Sequence, residues 1–151
     1  MPTAVIVDAV RTPIAKASAD SGYFRDVRAD ELSAGLLKAL VERTGIDPHL
    51  IDDVRWGCVQ QQGEQGYDIA RIAVLMAGLP IEIPGTVLQR NCASGLGSVA
   101  HAAHSISAGE GEVFVTGGVE SMSRAPFVFN KVEGPFGRDV KMFDSTIGPR
   151  F

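Results

Sequence analysis

A thiol at the mouth of a helix is a chemical group before it is a structural one. Cys92 stands in Arg90-Asn-Cys-Ala-Ser-Gly-Leu-Gly97, directly after a β-like run at residues 85–89. Unpaired backbone N–H groups and the positive end of the helix dipole favour a thiolate there, the form that attacks a carbonyl carbon. Cys92 is therefore the candidate nucleophile. The other cysteine, Cys58, lies in Val54-Arg-Trp-Gly-Cys-Val59 without an electropositive setting and reads as a small buried apolar residue. Two cysteines permit one disulfide at most, and free thiols are expected.

A nucleophile of this kind needs a base. His101 and His104 lie nine and twelve positions beyond Cys92, or roughly 13 Å and 18 Å along a helix, out of reach of the thiol. Their His-x-x-His spacing has no third ligand nearby, so no metal is assigned and they read as core histidines bonded to backbone. His49, beside Pro48, reads as solvent-facing. A rival motif overlaps the nucleophile: Gly95-Leu-Gly97-Ser-Val-Ala100 fits the dinucleotide fingerprint, with Glu120 at a plausible distance for a ribose contact. Four residues, 91–94, separate the strand from Gly95, which places Gly95 inside the helix. Small residues for close packing explain the glycines better, and Gly117-Gly118 is likewise a tightly packed strand end.

The elements that must position Cys92 follow from periodicity. Residues 91–109 contain no Asp, Glu, Lys or Arg; Leu96, Val99, Ala103 and Ile106 form an apolar stripe and Ala, Gly and Ser fill the other faces, predicting a central buried helix. Residues 4–10 form a Val- and Ile-rich run, interrupted by Asp8, expected as a first strand buried in a sheet. A loop follows, then a half-exposed helix capped by Asp30 and ended by Gly45. Asp47-Pro48 opens a short helix, residues 53–60 carry a strand, and Asp68 caps an apolar helix that stops at Gly78-Leu-Pro80. Strands at 85–89 and 112–116 flank the Cys92 helix. The alternation predicts an α/β domain with a mostly parallel, mixed sheet.

Composition bounds the rest. In 151 residues, 45% hydrophobic, with a net charge of -4 and no basic stripe, one globular core is expected and no nucleic-acid partner. The N-terminus lacks a signal-peptide pattern and no membrane-length apolar run occurs, so a soluble, cytoplasmic protein is expected, with no membrane partner.

Four blocks then come together. Asp8-Ala-Val-Arg-Thr-Pro-Ile14, Asn91-Cys-Ala-Ser-Gly-Leu-Gly97, Gly117-Gly-Val-Glu-Ser-Met-Ser-Arg-Ala-Pro126 and Lys141-Met-Phe-Asp-Ser-Thr-Ile147 occur in this order across the chain. Together they resemble the thiolases, acyl-CoA acyltransferases, over the N-terminal half of that family only. The related β-ketoacyl synthases share a helix-start Cys, but the Arg-Thr-Pro and Glu-Ser-Met-Ser blocks fit thiolases better.

The resemblance implies the first half of a layered α-β-α-β-α fold. Residues 1–125 would form the N-terminal α/β core and 126–151 the start of the loop insertion, cut short, that covers pantetheine and helps build tetramers. Cys92 matches the residue that carries the acyl group as a thioester, with its own N–H as one oxyanion donor. CoA thioesters are then the substrates and no further cofactor is implied; Arg90 and Arg124 could attract CoA phosphates, although exposed or paired arginines are the simpler explanation. The complete enzyme would be a homodimer, pairing through the strand at 85–89, or a homotetramer. The family's Gly-His-Pro, Cys-x-Gly and Asn-Glu-Ala-Phe motifs are absent from these residues. The chain would therefore be a partial thiolase inactive alone, one subunit of a split thiolase with a separate second-half chain, or a noncatalytic binding or oligomerisation module. Degradative and biosynthetic directions, and acyl chain length, stay open.

Overall fold

The computed structural model describes residues 2–132 and 134–147. Helix α1 (Ala29–Thr44) is followed by strand β1 (Asp53–Gly57), helix α2 (Ile69–Met76), strand β2 (Gly85–Leu88), helix α3 (Ser94–Ala108) and strand β3 (Phe114–Gly118). The three strands form a parallel sheet in the order β2-β1-β3, with Val54 opposite both Gly85 and Val115. Strands β4 (Phe127–Phe129) and β5 (Met142–Asp144) make a separate antiparallel pair.

Local chemistry sets most of the helix ends. Gly45 closes α1 in the left-handed region at φ 65°, its N–H donating to Val41 O. Asp47 caps the 3-10 turn Pro48–Leu50 by accepting from His49 N at 3.0 Å. Asp68 caps α2 by accepting from Arg71 N at 3.2 Å, with its own φ at 61°. Asp68→Ala removes the acceptor and places a methyl side chain in the left-handed region, so a loss of about 1–2 kcal/mol is expected. Asp68→Asn, which keeps both features, should retain most of it, as measured by urea unfolding.

β1 is the spine because its two faces serve different partners. Val54, Trp56 and Cys58 point into a core with Leu37 of α1 and Ile69, Ala70, Ala73 and Val74 of α2. Trp56 Nε1 donates to Ser33 Oγ of α1 at 3.1 Å, satisfying the indole where it is buried. Asp53, Arg55 and Gly57 alternate with these and face α3. A Cβ on Gly57 would lie 2.5 Å from Ser94 C and Gly95 N, so the first turn of α3 rests on bare strand backbone. A Cβ on Gly117 would lie 2.5 Å from the Trp56 ring, which confirms close packing at that strand end.

The structure corrects several expectations. Residues 4–10 form no strand; Val5, Ile6 and Val7 are exposed, and Asp8 is tied to Arg43 at 2.9 Å. A strand needs a neighbour for its ladder, and this segment has none among the described residues. Helix α1 starts one residue before Asp30, which sits in the first turn instead of capping it. Its carboxylate is taken by Arg28, with Nε and Nη2 donating at 2.9 and 2.6 Å. Burial opposes the charge on Asp30, but these bonds outweigh it and hold the carboxyl below its ordinary value.

Burial of α3 is confined to one face, and not the face carrying the apolar stripe. Ser94, Ser98, Ala102 and Ser105 are buried, whereas Leu96 is 75% exposed and Val99, Ala103 and Ile106 are half-buried. The sheet offers α3 charged groups and carbonyls, and small hydroxylic residues match them: Ser98 Oγ donates to Gly117 O at 3.0 Å. In the stretch 126–151, two short strands appear that periodicity did not indicate; residues 133 and 148–151 lie outside the described residues. Among the described residues no helix is long and apolar enough to cross a membrane.

Candidate active site

The chain leaves β2 at Leu88 and must turn sharply to enter α3. Asn91 takes the turn with φ at 51°, a left-handed conformation in which asparagine is among the better-tolerated residues. Ala93 N then donates to Arg90 O at 3.1 Å and Ser94 N to Asn91 O at 3.0 Å. Ser94 locks the turn from inside: its Oγ accepts from Arg90 N at 2.8 Å and donates to Asn91 O at 2.6 Å. Cys92 is thereby held two residues before the helix, with its side chain exposed. Sequence reasoning placed Cys92 in the first helical turn; it lies in the tight turn that delivers the chain to the helix. Ser94 was visible only as part of the motif, and its role needs the three-dimensional turn.

Cys58 is the opposite case. It is 1% exposed, just beyond β1, with Gln65 Nε2 donating to its sulfur at 3.5 Å. Burial, and next the Glu120 carboxylate, push this thiol from 9.0 up to about 12. The folded state thus disfavours ionisation of Cys58. Its contribution to stability is complete below pH 9 and is lost as pH rises from 9 toward 12, because the unfolded chain gives up the proton first. Wild type is expected to lose stability over that window faster than Cys58→Ala, by on the order of 1 kcal/mol per pH unit. Urea titrations at matched alkaline pH measure this difference. At neutral pH a disulfide reagent should modify Cys92 in the native chain and Cys58 only after unfolding.

The remaining candidates separate from the thiol. His49, in the turn Pro48–Leu50, is exposed as expected, whereas the expectation of core histidines at 101 and 104 is corrected: both are exposed, on the outer part of α3 that the sheet does not cover. Gly95 and Gly97 are within α3, and Glu120 is occupied, accepting from Val59 N at 2.8 Å and Gln65 Nε2 at 2.9 Å. Neither is placed as a dinucleotide site requires. Arg124 is paired with Glu64 by two bonds of 2.8 and 2.9 Å and also donates to Arg25 O. Arg90 is exposed, and its stem lies over Gly97, where a Cβ would meet Arg90 Cδ at 3.3 Å. A cavity of about 260 Å³ opens between residues 12–17, α1 and residues 118–123, but Cys92 does not line it.

An exposed thiol on a locked strand-to-helix turn is the arrangement on which the comparisons bear. The family described as "Thiolase, N-terminal domain" matches residues 4–147. The chain belongs to the thiolase family. It is 50% identical over 147 residues to a β-ketoadipyl-CoA thiolase of Pseudomonas aeruginosa, covering 97% of this chain and 36% of that protein. It is 47% identical over 152 residues to an Escherichia coli protein named 3-oxoadipyl-CoA/3-oxo-5,6-dehydrosuberyl-CoA thiolase, covering 100% of this chain and 37% of that protein. The crystal structure of the Bacillus anthracis acetyl-CoA acetyltransferase superposes with a TM-score of 0.74 at 35% identity, over 82% of this chain and 32% of that one. The thiolase fold is therefore shown for this α/β unit, and the chain spans little more than a third of the relatives' length.

Proposed function

We propose that this chain is the nucleophile-bearing portion of a thiolase-type acyltransferase, in which Cys92 takes an acyl group from a CoA thioester. The observation that carries the reading is the turn itself: Asn91 in the left-handed region and Ser94 bonded to both Arg90 N and Asn91 O hold an exposed thiol at a helix entrance. In the step proposed, the Cys92 thiolate attacks the thioester carbonyl, the Cys92 backbone N–H faces the developing oxyanion, and CoA leaves as its thiol after taking up a proton. A second thiol then accepts the acyl group in thiolysis, or an activated acetyl carbon accepts it in condensation. The base for these steps belongs to residues outside this chain, since His101 and His104 lie far along α3.

The names of the relatives in Pseudomonas and Escherichia favour cleavage of a 3-oxoacyl-CoA with a second carboxylate, and β-ketoadipyl-CoA is the first substrate to test. In this reading residues 1–125 are the core and 126–151 the start of a loop insertion. The outer side of α3, where Leu96 is exposed and Val99, Ala103 and Ile106 are half-buried, receives the second half of the enzyme, whether continuous with this chain or separate. The reading includes pairing of two subunits through β2, no cofactor beyond the CoA thioester, and a reducing, cytoplasmic setting that suits two free thiols. The test is the intact mass of the chain after incubation with acetyl-CoA. One hydroxylamine-labile acetyl group mapped to Cys92 is expected; a folded chain that stays unmodified, with and without a second-half chain, sinks the reading.

A further inference from the structure

The sheet face under α3 carries a buried ionic cluster that acyl transfer does not use. Arg55 Nε donates to Asp53 Oδ2 at 2.9 Å, both side chains being almost wholly buried. From the same guanidinium, Nη1 donates to His101 O at 3.0 Å and to Ser105 Oγ at 2.9 Å, two groups one turn apart on α3. Ser105 Oγ donates onward to Glu110 Oε2 at 2.7 Å, Thr86 Oγ1 of β2 donates to Asp53 Oδ2 at 3.1 Å, and the Arg55 guanidinium carbon sits 4.3 Å from the centroid of the Phe114 ring. The Asp53–Arg55 pair thus ties β1, β2, β3 and α3 together.

A buried ion pair is a weak source of stability, because desolvation opposes it, but its hydrogen bonds are directional. Direction matters for α3. Its sheet-facing residues are Ser94, Ser98, Ala102 and Ser105, a smooth face without a large side chain to key it into one position along its axis. Gly57 sets how closely the first turn approaches the strand, and Ser98 Oγ donates to Gly117 O at 3.0 Å in the first half of the helix, which leaves the second half to be fixed. Arg55, two residues earlier on the same face of β1, grips the helix in its second half. The two points together define a line, and Cys92 stands at its end.

We infer that Arg55 is a positioning residue for the Cys92 turn, fixing the axial placement of α3 through His101 O and Ser105. The inference rests on Cys92 as the acyl acceptor, and two readouts separate the two ideas. In the first, nitroxides on Cys92 and on a cysteine introduced as Glu42→Cys, exposed on α1, report the distance distribution between α1 and the turn. It should be narrow with Arg55 and broadened or shifted in Arg55→Met, with Arg55→Lys intermediate because one nitrogen replaces a fork that serves three acceptors. In the second, unlabelled chain is mixed with acetyl-CoA over a range of concentrations. The maximal rate of Cys92 acylation should fall about 10- to 100-fold in Arg55→Met with the half-saturating concentration unchanged, as expected for a misplaced nucleophile.

Should Arg55→Met fail to fold with Asp53 left unpaired, Ser105→Ala, which removes one grip on α3 and leaves the ion pair, is expected to shift both readouts in the same direction. Unchanged distances in the folded variants overturn the inference, as does an unchanged maximal rate. A wild-type chain that takes no acyl group defeats the nucleophile reading alone, and the distances still decide whether Arg55 places the turn.

Discussion

Cys92→Ala should abolish thioester exchange altogether. In the intact-mass experiment no acetyl adduct is expected at any concentration of acetyl-CoA. In an enzyme completed by a second half, turnover should fall by on the order of 10⁴-fold or more, as for removal of other covalent nucleophiles. The size of the effect follows from the absence of a substitute. The only other thiol, Cys58, is buried, and its ionisation is pushed up to about 12, so it offers almost no thiolate at neutral pH. Stability should change little, because Cys92 is exposed and the turn is held by Asn91 and Ser94 rather than by the thiol. Loss of the adduct with unchanged urea unfolding is the expected pair of results. An adduct persisting in Cys92→Ala would move the chemistry to another residue.

Gly57→Ala should damage both the stability of the fold and the placement of the Cys92 turn. The added Cβ would meet Ser94 C and Gly95 N at 2.5 Å and Ser94 O at 2.8 Å, all of them backbone atoms that cannot rotate away. Relief requires α3 to lift or slide at its first turn, which carries Ser94 and with it the hydrogen bonds that set Asn91 and Cys92. Overpacking of this kind costs about 1–3 kcal/mol, and acylation should slow at least about tenfold. Gly35→Ala is the control: its Cβ would meet nothing within 4 Å in the exposed middle of α1, and a gain of about 0.5–1 kcal/mol is expected there. Equal stability of Gly57→Ala and wild type would show that α3 does not rest on β1 as described.

What could be read from the chain beforehand divides along the range of the forces involved. Caps are local, so Asp47, Asp68 and Gly45 marked their elements correctly, and Asn91-Cys92 with the Gly117-Gly118 block identified the turn and its neighbours by resemblance. Residues 4–10 have the apolar content of a buried strand, but pairing is a property of a neighbour, and no neighbour is found among the described residues. The orientation of α3 was hidden for a different reason. Hydrophobic periodicity locates the face that meets an apolar partner, whereas the sheet presents Asp53, Arg55 and the carbonyl of Gly117, and the helix answers with serines. Arg55 carries no signal of its own in the sequence; its role needs His101 O and Ser105 placed above it by the fold.

The charges on β1 have a meaning before the fold is complete. β1 ends as the central strand, yet both of its neighbours, β2 and β3, lie later in the sequence and emerge after it during synthesis. For that interval the strand has two bare edges and an apolar side carrying Val54 and Trp56, a combination prone to pair with other nascent chains. Asp53 and Arg55 on the opposite side act as gatekeepers, since stacking such a strand into a sheet with a stranger would bury unmatched charge. The same two residues that meet beneath α3 thus make that side of β1 a poor surface for stacking on a foreign sheet.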